Sequence, residues 1–151
     1  MIWKILLLVH AIVACALIGL VTHQASAVLF SGKGSSLIGS YASVRSAIFT
    51  KAIVVAFSVE FFLGSWIYTR YRYTARPVLE DLGLESYVGA FEFKEHLLAI
   101  CLFVLPVYWL FWARIPLDER SKTRTALTIF VGFSIWAAFL IGHLLNNERG
   151  I

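Results

Sequence analysis

The sequence has 151 residues, of which 60% are hydrophobic and 15% charged, and its mean hydropathy is +0.80. Those figures exclude a water-soluble domain, and with it the disordered, collagen-like and nucleic-acid-binding classes. The net charge of +4 falls on basic residues set between long apolar runs, a placement that anchors headgroups of a lipid bilayer and involves no nucleic acid.

Four stretches are long enough to cross a hydrocarbon core, which needs about 20 residues at roughly 1.5 Å each. They are predicted near Ile2–Phe30, Ser46–Tyr71, Gly89–Ala113 and Arg124–Leu145. The first resembles a secretory signal, with Lys4, an apolar run and Ala25-Ser26-Ala27 as a small-residue cleavage site. Its apolar region is longer than a signal's and contains His10 and His23, so a retained helix is expected.

The connections Ser31–Arg45, Arg72–Val88 and Arg114–Lys122 are short. The fold class that follows is all-α: an integral membrane four-helix bundle in up-down-up-down order, one domain over residues 1–151. Gly32, Gly34 and Gly39 loosen the first connection, Pro77 and Gly83 break the second, and Pro116 marks the end of the third helix. Lys and Arg divide six to seven between the two sides. The dense set from Arg114 to Arg124 places that loop in the cytoplasm and both termini outside. Short loops suit a bacterial inner membrane.

An ionisable side chain near the centre of a membrane helix costs ~2.5–3.5 kcal/mol on insertion scales, so each one invites a functional reading. All four histidines fall in the apolar helices. His10 lies roughly 12 Å inside the first helix, His96 a turn or two inside the third and His143 in the last turn of the fourth. With up-down topology these three belong to one leaflet, as a metal or haem site requires. His23 comes thirteen residues after His10, about 20 Å along the helix, and belongs to the other leaflet.

A neutral imidazole ligates iron through one ring nitrogen while the other N–H bonds a carbonyl or carboxylate. Two such histidines on facing helices would hold a haem, with His10 and His96 the better matched in depth. Arg70, Arg72 or Arg76 would meet its propionates, and Glu92, one turn before His96, would orient that imidazole. As helix-to-helix hydrogen-bond partners, the same histidines would have only a structural part.

Glu60, in Phe57-Ser58-Val59-Glu60-Phe61-Phe62, has no Lys or Arg within a turn. It is expected either to exchange protons with a quinone or to hydrogen-bond a neighbouring helix. At the opposite side, Thr22-His23-Gln24 and Ser26 face Lys51 at comparable depth, a set of donors and acceptors suited to a quinone carbonyl or to a helix contact. The aromatic residues at helix ends, including Trp66, Tyr71, Tyr73, Tyr108, Trp109 and Trp112, read as an interfacial belt. Cys15 and Cys101 read as small core residues. The spacing His10-x4-Cys15 is repeated as His96-x4-Cys101, and a duplicated hairpin would produce it.

On His10, His96 and His143, the arrangement resembles small four-helix membrane subunits that carry haem b, and more loosely the CopD-type membrane proteins of copper handling. The resemblance implies an electron-transfer subunit of a larger membrane redox complex, binding one haem b and exchanging electrons with quinol or a partner subunit. The alternatives are copper binding or transport through His10, His96, His143 and Cys15, and an accessory or assembly subunit with no cofactor.

Overall fold

A computed structural model describes residues 2–30, 46–116 and 121–148. The first connection, with Gly32, Gly34 and Gly39, lies outside these residues, as do Lys33, Arg45, Arg120 and Arg149 of the charge count.

Four long helices run in alternating directions: α1 (Ile2–Phe30), α2 (Thr50–Thr74, entered through a 3₁₀ turn at Ser46–Phe49), α4 (Glu85–Ala113) and α5 (Lys122–Glu148). A short helix, α3 (Arg76–Asp81), joins α2 to α4. All four long helices are long and apolar enough to cross a membrane. Hydrocarbon offers no hydrogen bonds, so each segment satisfies its backbone within itself. The hydroxyls of Ser26, Ser58, Ser65, Thr74, Thr128 and Ser134 do likewise, donating to the carbonyl one turn back at 2.7–2.9 Å.

Around the bundle the order is α1, α2, α4, α5, and α5 closes back onto α1. The starts of α1 and α4 and the ends of α2 and α5 therefore share one end of the bundle, the N-terminal end.

The predicted helix bounds hold at α1 and shift by a few residues elsewhere. The largest difference is at Arg72–Val88, read as a loop, where α2 continues to Thr74 and α3 follows at once. Pro77 breaks the ladder because it has no N–H, yet it is accommodated in the first turn of α3. Gly83 then ends α3 with φ at +69°. Its N–H donates to Glu80 O at 3.0 Å and that of Leu84 to Leu79 O at 2.9 Å, a Schellman closure that needs this left-handed residue.

The buried apolar residues form two clusters. The larger runs from mid-bundle to the far end and includes Leu17, Phe57, Ile53, Leu105, Val131 and Ile135. The smaller, with Tyr71, Leu79, Val88, Phe91 and Leu145, caps the N-terminal end. There the Tyr71 and Phe91 rings stack at 3.9 Å.

The far end is fastened by polar side chains. Gln24 is fully buried. Its amide donates to Thr50 Oγ1 at 2.9 Å, and its carbonyl accepts from the Tyr108 hydroxyl. One side chain of α1 thus ties α2 and α4. Trp112 donates to Thr128 Oγ1 at 3.0 Å, and Trp136 to Thr22 Oγ1 at 2.9 Å. Tyr71, Tyr108 and Trp112 are buried rather than part of an interfacial belt, whereas Trp66, Tyr73 and Trp109 are exposed. Cys101 is buried and Cys15 exposed.

Removing the Tyr108 hydroxyl takes one hydrogen bond from the buried Gln24 carbonyl, which costs about 1 kcal/mol. Tyr108→Phe should therefore lower the thermal unfolding midpoint in detergent, and adding Gln24→Leu to it should recover part of the loss.

Candidate functional site

A cavity of about 530 Å³ lies between the two apolar clusters and is lined by all four long helices. Leu17, Phe57 and Ile135 of the larger cluster and Phe91 of the smaller one contribute to its wall. Most of the lining is apolar; the ionisable members are Lys4, His10, Glu60, Lys94, Glu95 and His143. Its volume lies within the roughly 300–1,000 Å³ typical of small-molecule and cofactor sites.

His10 on α1 meets Glu60 on α2, with Nδ1 2.9 Å from Oε1. The carboxyl side chain is 13% exposed and the imidazole 30%. The approach is close but not aligned as a hydrogen bond: His10 Nδ1 and Glu60 Oε2 are both buried without a hydrogen-bond partner among the described residues. Gly64, one turn after Glu60 and on the same face, makes room for the ring. A Cβ there would stand 3.5 Å from His10 Cε1, in ordinary contact, whereas a longer side chain would occupy the space of the imidazole.

The three histidines expected to converge do not all do so. His10 and His143 line the same cavity, and the His143 ring stacks on Phe139 at 6.2 Å. His96 is exposed on the outer face of α4, its Nδ1 2.7 Å from the Glu92 carbonyl. It is therefore the backbone of Glu92, not its carboxylate, that meets the imidazole. That carboxylate accepts from Arg76 Nη1 at 2.7 Å instead. His96 lies on the outward side of its helix, because Phe91, Lys94, Leu98 and Cys101 carry the inward face of α4.

The arginines expected near propionates are also placed elsewhere. Arg76 bonds Glu80 as well as Glu92, and its hydrogen bond to Glu80 raises the guanidinium above its ordinary pKa. Arg70 lies 5.3 Å over the Trp3 ring, and Arg72 is exposed. The cations that line the cavity are Lys4 and Lys94. In the sequence Lys94 stands in Phe91-Glu92-Phe93-Lys94-Glu95-His96, where charged neighbours give it the look of an interfacial residue and hide the inward position that the fold assigns to it.

At the far end, Gln24 is committed to Thr50 and Tyr108, and His23 is buried with its ring edge against Phe49 at 5.1 Å. Lys51 is exposed, so it is Thr50, its neighbour, that completes this polar set. Cys15 lies on the outside of α1, away from the cavity lining. Among the described residues no three His, Cys, Asp or Glu side chains gather as a metal-binding group.

Comparison with protein-family models, with curated proteins and with solved structures finds no match for this chain. The geometry of the cavity alone carries the functional argument.

Removing His10 leaves a carboxyl inside the bilayer without the group that faces it. His10→Ala should destabilise the bundle by about 1–3 kcal/mol, and Glu60→Gln by less, because the amide keeps a polar atom toward the ring. A double-mutant cycle on thermal unfolding, combining His10→Ala with Glu60→Ala, measures the coupling; additive losses would show that the contact contributes nothing.

Proposed function

We propose that this protein is a membrane electron-transfer subunit that would hold one haem b in the cavity at the N-terminal end, with His10 and His143 as the residues that would ligate it. The observation that carries the reading is the imidazole of His10 backed by Glu60 inside an otherwise apolar chamber. A histidine that ligates iron commonly has its other ring nitrogen turned to a carboxylate or carbonyl, which fixes the ring and raises its basicity. With Nδ1 at Glu60, Nε2 is the nitrogen left for ligation. The Leu, Ala and Phe side chains of the lining suit a flat apolar macrocycle.

Bound haem would supply one-electron chemistry. The chain's own part is to hold the ligating imidazole, exclude water and place the group in one half of the bilayer. Electrons would pass to or from quinol or a partner subunit of a larger respiratory assembly, in a bacterial inner membrane. The unpartnered Glu60 Oε2 favours a second reading, in which the His10 and Glu60 pair exchanges protons with a quinone directly.

The absorption spectrum of the reduced, fully loaded protein separates these readings. Haem b bands that His10→Ala abolishes, His143→Ala alters and His96→Ala leaves intact are the expected result. Their absence from the loaded protein would reject haem, leaving a quinone site or a cofactor-free accessory subunit.

A further inference from the structure

Lys94 is a cation that the bundle holds where a cation is costly. It is 8% exposed, lies three residues after Phe91 on the inward face of α4, and lines the cavity. Its ammonium rests 4.0 Å from the centre of the Phe91 ring and 3.0 Å from Glu95 Oε1. Residues i and i+1 on a helix point about 100° apart and do not face one another. The Lys94–Glu95 contact is thus one that the lysine reaches by bending aside, and Glu95 lines the cavity as well. The second cation of the lining, Lys4, belongs to the first turn of α1.

From these positions we infer that the cavity selects an acidic amphiphile, and that Lys94 is its specificity-determining residue. The apolar body of the ligand occupies the chamber beside Leu17, Phe57 and Ile135. Its carboxylate takes the Lys94 ammonium from Glu95, and Lys4 receives a second acidic group where the ligand has one. Exchange of one carboxylate for another keeps the buried ammonium paired throughout, and the carboxylate released, Glu95, is the more exposed of the two side chains, 25% against 11%. The choice of a porphyrin as one probe rests on the haem reading; the recognition of a carboxylate does not.

The test uses the full chain in lipid nanodiscs and three probes: haemin, haemin dimethyl ester, whose carboxylates are masked, and oleate as a competitor. The full chain should bind haemin more tightly than the diester, by up to about tenfold, because the ligand carboxylate meets Lys94 directly whereas Glu95 reaches it only from the adjacent position on the same helix. Lys94→Gln should remove most of that preference and Lys94→Arg should keep it. Glu95→Gln should tighten haemin but not the diester, a gain that misfolding cannot imitate. Equal binding of diacid and diester by the full chain overturns the inference, as does a preference that survives Lys94→Gln combined with Lys4→Gln. If haemin gives a His10-dependent ligated spectrum without preference for the diacid, the haem reading stands and this one falls. If neither porphyrin binds but oleate binds in a manner that depends on Lys94, this inference stands and the haem reading falls.

Discussion

An imidazole on one apolar helix and a carboxyl on the next cannot both face acyl chains without a cost of several kcal/mol. In this bundle His10 of α1 and Glu60 of α2 face one another, 2.9 Å apart, with Gly64 beside the ring. On the same side of α1 as His10, Leu7, Ala14 and Leu17 line the cavity, with Lys4 and Ala11 at its exposed margin. These residues form the α1 wall of the cavity.

The two ends of the bundle deal with polar groups differently. At the far end Gln24, Thr50 and Tyr108 satisfy one another among closely packed Ile53, Leu105 and Trp112, and the helices are fastened there. At the N-terminal end the apolar packing is interrupted, and the ionisable groups border an open volume. Buried polar networks that are complete rigidify a fold, whereas groups left incompletely bonded mark places where another molecule completes them. Glu60 Oε2 is such a group, and the Lys94 ammonium rests between the Phe91 ring and the adjacent Glu95 on its own helix.

The mean direction of each helix was legible because a run of twenty or more apolar residues has one stable form in hydrocarbon. The importance of Glu60 and His10 could be read one residue at a time, from a charge-bearing side chain in an apolar context. Their partnership could not. In a soluble helix the polar face reveals which side is inward, but here both the lipid-facing and the inward faces are apolar, because lipid tails are as apolar as a protein core. His96 and Lys94 illustrate the loss. They stand two residues apart on one helix, and nothing in their surroundings along the chain indicates that Lys94 turns in and His96 out.

The same ambiguity explains Tyr108, which from its place near a helix end reads as interfacial yet is buried against Gln24. By itself the sequence determined that the chain is helical and that four segments are long and apolar enough to cross a membrane, since rise per residue and apolar run length set both. Only the tertiary structure decided which of the ionisable residues share a chamber. That outcome depends on the rotation of each helix about its own axis, which is set by side-chain fit and polar pairing between helices and leaves no periodic trace in a uniformly apolar segment.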